Sequence, residues 1–183
     1  AGSVLLQGRR EAPRVDGREV GGRPAADDGV FWLTAYLAAL RIGALLTLVS
    51  TLCAPPELAH ILRNSDCQYL LAARRFLSHD YAATLEAALP GLADGHAGEL
   101  RLPDAPYLRA IWLDEAEGLG WARPLGELEA LADAPGAPSA VILAAIEREV
   151  APGDDAVVIY TSGSTALPKA VVHRHWALVR HAP

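Results

Sequence analysis

The chain has 183 residues, a formal net charge of −6, hydrophobic side chains at 51% of positions and aromatics at only 6%. That length supports one domain with a real core, and the acidic balance argues against nucleic acid as the main partner. The two cysteines, Cys53 and Cys67, lack the C-x-x-C spacing of a zinc knuckle or redox motif and read as reduced core thiols of a cytoplasmic protein.

Residues 1–28 are rich in Gly, Arg, Pro and Asp and hold five arginines and five acids, so they read as an irregular segment and not as a signal peptide. No methionine occurs anywhere, position 1 included, and the chain stops at Pro183 just after the first turns of an expected helix. Both features lead us to expect a piece of a longer or processed product, with residues 29–183 forming part of a domain. Val30 to Val49 is twenty residues with a single charge, Arg41. At a bilayer centre that charge would cost about 2.5–3.5 kcal/mol. Gly43 divides the run into a buried helix over 30–42 and a strand over 44–49, so no membrane span is expected.

Pro55-Pro56-Glu57 opens a helix that runs to about Asn64, with its prolines in the first turn. The pattern then predicts a strand at 68–72, a helix at 78–89, a loop at 91–106, a strand at 108–113, and short helices at 127–133 and 139–149. Pro152-Gly153 turns the chain into an apolar strand over 156–160. Regular alternation with continuous apolar strands predicts an α/β fold, layered helix–sheet–helix with mostly parallel strands. Arg74-Arg75 and Asp114-Glu115 read as solvated surface charge.

The chemistry sits after that last strand, where the chain reads Tyr160-Thr-Ser-Gly-Ser-Thr-Ala-Leu-Pro-Lys169-Ala-Val-Val-His-Arg-His175. Thr161 to Thr165 are too small and polar to extend a buried strand, so 161–169 is expected to be an exposed loop. Such a loop offers hydroxyls, backbone N–H groups and one ammonium to a polyphosphate. Gly163 allows close backbone approach, and Lys169 supplies a compact point charge. The P-loop pattern G-x-x-x-x-G-K-[ST] does not fit: counted from Gly163, the second glycine would fall at Pro168, and Ala170 follows Lys169 where a hydroxyl is needed for Mg²⁺.

The stretch resembles the signature loop of the adenylate-forming superfamily, roughly [YF]-T-S-G-[ST]-T-G-x-P-K-G-V. Tyr160, Thr161, Ser162, Gly163, Ser164, Thr165, Pro168, Lys169 and Val171 match, nine of eleven specified positions. The departures are two alanines in place of glycine, Ala166 and Ala170. Ala166 would cost about 1 kcal/mol or more if its φ were positive. The segments Ala35 to Ala44 and Pro56 to Ser65 also look like the helix–strand–helix that precedes this loop in the family. The resemblance runs from about Val30 to His181.

The resemblance implies part of the large N-terminal domain of an enzyme that joins a carboxylic acid to the α-phosphate of ATP, with Mg²⁺, and commonly passes the acyl group to coenzyme A. It favours an acyl-CoA synthetase, of the kind used in fatty acid metabolism, over a peptide-synthetase adenylation domain. Thr161, Ser162, Gly163, Ser164, Thr165 and Lys169 would hold the β- and γ-phosphates, with Lys169 stabilising charge on the departing pyrophosphate. The family's adenine and acyl pockets and its other signature residues lie downstream of this segment, so the fragment alone is expected to be inactive. Two other readings stay open: a non-catalytic remnant, and a flavodoxin-like module that holds a phosphate without chemistry. His173 and His175 form an H-x-H pair without a third ligand at useful spacing, and read as structural, at the loop-to-helix junction.

Overall fold

The computed structural model describes residues 3–7, 28–50, 52–76, 78–163 and 166–180; of these, side chains are described except at 3–7, 28–30, 76, 162–163 and 166. Among these residues, a seven-stranded sheet is built from β1 (Ser3–Gln7), β2 (Leu45–Val49), β3 (Tyr69–Ala72), β6 (Ala110–Leu113), β7 (Arg123–Pro124), β8 (Asp155–Gly163) and β9 (Ala166–Arg174). A two-stranded ribbon pairs β4 (Arg75–Phe76) with β5 (His79–Asp80). The order across the main sheet is β7-β6-β3-β1-β2-β8-β9. Pairing is parallel from β2 to β8, from β3 to β6 and from β6 to β7, whereas β1 runs antiparallel to both β2 and β3, and β9 antiparallel to β8. Five of the seven strands therefore run one way, and the α/β architecture is the one the alternating pattern predicts.

The helices form for local reasons the sequence states plainly. In α1 (Asp28–Arg41) the run ends at Gly43, whose φ of 67° lies in the left-handed region; the Gly43 and Ala44 amides return to the carbonyls of Leu40 and Ala39 at 3.1 and 3.0 Å. Two prolines open α2 (Pro55–Asn64), Glu57 sits in its first turn and Arg63 in its last, each complementing the helix dipole. For α3 (Tyr81–Ala88), the Asp80 carboxylate caps the start by accepting from the amides of Ala82 and Ala83 at 3.0 and 3.2 Å. The remaining helices are α4 (Gly126–Ala132), α5 (Ala140–Glu149) and α6 (His175–Arg180).

Two apolar layers sandwich the sheet. One gathers Leu58, Ile61 and Leu62 of α2 and Ala82, Leu85 and Ala88 of α3 against Leu70, Ile111 and Leu113. The other gathers Ala35 and Ala39 of α1, with Leu128 of α4 and Leu178 of α6, against Leu46, Leu71, Trp112 and Val157. The expected loop at 91–106 belongs to the core: Leu92, in a 3-10 turn over Leu92–Asp94, is fully buried, and Leu100, Leu102 and Ala105 join it. Trp121 is 1% exposed and keeps its indole N–H satisfied on Glu86 Oε1 at 2.9 Å.

Three expectations need correction. Residues 3–7, read as part of an irregular segment, form a central strand, because a short Val-Leu-Leu run suffices when both flanking strands supply backbone partners; residues 8–27 lie outside the described residues. The expected exposed loop at 161–169 is largely a hairpin, with β8 extending to Gly163 and β9 beginning at Ala166. Small hydroxyl residues are compatible with a strand whose partner is antiparallel and whose face is solvated. Arg74 and Asp114 are not solvated surface charge. Asp114 Oδ1 accepts from the amides of Arg74 and Glu115 at 2.6 and 2.8 Å, and the Arg74 guanidinium donates to the carbonyls of Glu115 and Glu117 at 3.5 and 3.0 Å. They lock together the carboxyl ends of β3 and β6.

Candidate phosphate-binding hairpin

The first residues of β8 are fixed by burial: Ala156, Val157 and Val158 are all in the core. As an inner strand, β8 takes β2 on one side and β9 on the other. Its polar half then projects beyond the core along β9. Tyr160 pairs with Ala170 and Thr161 with Lys169, after which the register slips before Gly163 meets Ala166. The slip falls at Leu167-Pro168, where a proline has no N–H to donate to a regular ladder.

Cross-strand partners share a face, and successive residues alternate. Thr161 and Lys169 therefore stand on one face of the hairpin, and Tyr160 and Ala170 on the other. The Thr161 hydroxyl reaches the Lys169 carbonyl at 3.4 Å, and both residues are exposed. A hydroxyl and an ammonium from cross-strand partners on one solvated face can grip phosphate oxygens, the ammonium as a point charge and the hydroxyl as a directional donor once it turns from the Lys169 carbonyl.

On the opposite face the Tyr160 hydroxyl donates to Asn64 Oδ1 at 2.9 Å, and His60 Nε2 meets the Pro168 carbonyl at 3.2 Å. The rings of His60 and Tyr160 meet edge to face, with centroids 6.4 Å apart. Burial, with a smaller contribution from the Asp66 carboxylate, pushes the Tyr160 phenol above its ordinary pKa. The phenol therefore remains a hydrogen-bond donor throughout the neutral range.

Thus the hairpin joins Thr161 and Lys169, and the backbones of Ser162 and Gly163 follow along β8. Ser164 and Thr165 lie outside the described residues. The strand pairing engages backbone groups that an open loop would leave free for an anion, which shifts the donor set toward side chains. Ala170 is not among the residues with positive φ and sits in regular pairing opposite Tyr160, so its methyl is accommodated as in any strand. Ala166 opens β9, opposite Gly163.

The histidines separate by role. His173 lies in β9 opposite Val157, and His175 starts α6 with its amide bonded to the Asp154 carbonyl at 3.1 Å. Among the described residues, no group of three His, Cys, Asp or Glu side chains is placed to hold a metal ion. Cys53 and Cys67 are not joined in a disulfide, and the Cys67 thiol donates to the Tyr69 carbonyl at 3.2 Å. Burial, reinforced by the Glu57 carboxylate, pushes the Cys53 thiol up to about 12, away from nucleophilic use at neutral pH. Beside Cys53, a cavity of about 20 Å³ is lined by Val49, Ser50, Tyr81 and Thr84 at the carboxyl ends of β2 and β3; it has room for about one water and not for a nucleotide. Sequence reasoning missed His60 and Asn64. Their i, i+4 spacing on α2 was visible, but the partner they face was not.

Three comparisons bear on this site. The model of a family described as AMP-binding enzyme matches residues 25–182. The chain is 32% identical over 149 residues to a 3-hydroxybenzoate–CoA/4-hydroxybenzoate–CoA ligase of Thauera aromatica, covering 81% of this chain and 24% of that protein. It is 28% identical over 149 residues to a 3-hydroxybenzoate–CoA ligase of Aromatoleum sp. (strain CIB), covering 81% of this chain and 23% of that one. Among solved structures, the anthranilate CoA ligase AuaEII in complex with anthranoyl-AMP shares the fold at a TM-score of 0.55 and 21% identity, over 81% of this chain and 23% of that one. The chain thus spans about a quarter of the length of the curated relatives it matches.

Proposed function

The chain belongs to the AMP-binding enzyme family, and on that premise we propose that it supplies the phosphate-binding hairpin of an enzyme that activates a carboxylic acid as its acyl-adenylate. In this reading residues 29–183 are part of the large N-terminal domain, ATP enters with Mg²⁺ as substrate, and coenzyme A takes the acyl group. The observation that carries the reading is the pairing of Thr161 with Lys169 on one solvated face of a hairpin whose sequence runs Tyr-Thr-Ser-Gly-Ser-Thr into Pro-Lys. Aromatic acids named for the relatives favour an aryl carboxylate over a fatty acid as the substrate class. A cytoplasmic location goes with the reduced thiols; among the described residues no helix is long and apolar enough to cross a membrane.

The mechanism follows from placement. Attack of a carboxylate on the α-phosphate sends negative charge onto pyrophosphate. An ammonium beside the β- and γ-phosphates gains most as that charge develops, so it favours the transition state over the bound substrate. Thr161 would orient one phosphate oxygen beside it. Ser162, Gly163, Ser164 and Thr165 would complete the grip, Gly163 by admitting close approach. Groups that hold adenine and the carboxylate belong to other parts of the complete enzyme, so this chain alone would bind polyphosphate without turnover.

The test is carboxylate-dependent ATP–pyrophosphate exchange by the complete polypeptide carrying this chain, with a benzoate-type acid and a fatty acid compared as substrates. Lys169→Ala should lower kcat/KM for ATP by about ten- to a thousandfold, the scale of one lost electrostatic donor. Its melting temperature should be unchanged, because the side chain is exposed. A folded Lys169→Ala enzyme with near-full activity would remove the hairpin from catalysis and leave the non-catalytic reading in its place.

A further inference from the structure

Two bonds tie the back of the hairpin to α2, and both fall one residue before a phosphate-face residue. Tyr160 precedes Thr161, and its hydroxyl is held by Asn64 at 2.9 Å. Pro168 precedes Lys169, and its carbonyl is held by His60 Nε2 at 3.2 Å. His60 and Asn64 are i, i+4 neighbours on one face of α2. That helix is itself seated in the core by Leu58, Ile61 and Leu62. The partly buried His60 bond lies at the register slip, where the ladder between Thr161–Lys169 and Gly163–Ala166 is irregular and fixes the backbone least.

We propose that His60 is a positioning residue that sets the Lys169 ammonium for phosphate by clasping the Pro168 carbonyl, with Asn64–Tyr160 as the second jaw. This rests on the reading of Lys169 as the phosphate lysine. The ring of Pro168 fixes its φ near −65°. A hydrogen bond to its carbonyl fixes the remaining torsion, ψ. The 168–169 peptide is planar, so the two constraints together place the nitrogen and Cα of Lys169, the point from which its side chain leaves the strand. A carbonyl only accepts, so His60 must carry its proton on Nε2, and the edge-to-face packing on Tyr160 holds the imidazole in that orientation. The core-seated helix thereby lends its rigidity to a lysine that stands in solvent.

Three substitutions separate the donor from the ring. His60→Phe keeps the ring against Tyr160 and removes the donor. His60→Gln keeps a donor at the same reach and removes the ring. Lys169→Ala removes the phosphate group's partner. The measurements on the 183-residue chain are calorimetric binding of magnesium tripolyphosphate and amide hydrogen exchange at Thr161, Lys169 and Ala170.

His60→Phe should weaken tripolyphosphate about five- to tenfold, the worth of one hydrogen bond, and speed exchange at those amides. His60→Gln should stay within about twofold of the parent in both readouts, and Lys169→Ala should abolish binding without changing exchange. If His60→Phe binds and exchanges like the parent while Lys169→Ala loses the anion, the clasp is wrong and the phosphate reading stands. Equal loss in His60→Phe and His60→Gln overturns the clasp in favour of a merely structural role for an intact histidine side chain. If Lys169→Ala binds tripolyphosphate as tightly as the parent, the phosphate reading fails, and the positioning role with it.

Discussion

Replacing Asp114 tests whether the carboxyl ends of β3 and β6 are locked as the geometry indicates. Its Oδ1 accepts the Arg74 amide at 2.6 Å in a partly buried position and the Glu115 amide at 2.8 Å in an exposed one. A hydrogen bond to a charged acceptor contributes about 1.5–3 kcal/mol, and an amide left without a partner in a buried place adds to the loss. Water can replace the acceptor at the exposed Glu115 amide and only partly at Arg74. Asp114→Ala should therefore cost about 2–3 kcal/mol, and Asp114→Asn, which keeps a neutral acceptor, about 1 kcal/mol. In a urea titration with a slope of about 2 kcal/mol/M, the alanine variant's midpoint falls by about 1–1.5 M. Hydrogen exchange should place the loss at the Arg74 amide. The Arg74 guanidinium, bonded to the Glu115 and Glu117 carbonyls, limits how far the loops separate. An alanine variant within about 0.5 kcal/mol of the parent, or an asparagine variant as unstable as alanine, refutes the reasoning.

Three further outcomes are expected. With its thiol near pKa 12, Cys53 should be alkylated by iodoacetamide at pH 8 about a hundred- to a thousandfold more slowly than an exposed peptide thiol, as read by mass spectrometry; a comparable rate refutes the burial argument. Tyr160 has its pKa raised on folding, so its stabilising contribution is complete below the unfolded value of 10.0 and is lost as pH rises through the folded value. Denaturant titrations from pH 9 to 11.5 should thus show a steeper decline for the parent than for Tyr160→Phe. Ala170→Gly, although it restores the family pattern, should destabilise the hairpin by about 0.5–1 kcal/mol, because a strand interior gains nothing from glycine's freedom; a raised melting temperature would contradict this.

The parallel core was legible because buried strands carry their own signal. Leu45–Val49 and Ala110–Leu113 are continuous apolar runs, and α2 announces itself with two prolines at its start. β1 was not legible, since three apolar residues among glycines and arginines become a strand only when partners 46 and 67 residues away arrive. The signature residues carried a resemblance, and that resemblance named the family that matches the chain. Their conformation was misread, because polarity ended the strand on paper while antiparallel pairing continued it in space. Asp114 and His60 looked like ordinary polar residues because their partners are backbone groups, Arg74 N–H and Pro168 C=O, which no side-chain pattern reports.

The central placement of β1 has a consequence for how the sheet closes. Among the described residues, β7-β6-β3 and β2-β8-β9 meet in the plane of the sheet only through residues 3–7. The hairpin joins residues ten apart, a closure that costs little, whereas β1 closes loops several times longer on both sides. Each half can organise around its own helices before the other, but the sheet becomes one body only when β1 pairs with both β2 and β3. β1 then behaves as a removable key: a strand that could be supplied as a separate peptide, and whose withdrawal would uncouple the hairpin's half of the sheet from the half that Asp114 and Arg74 hold shut.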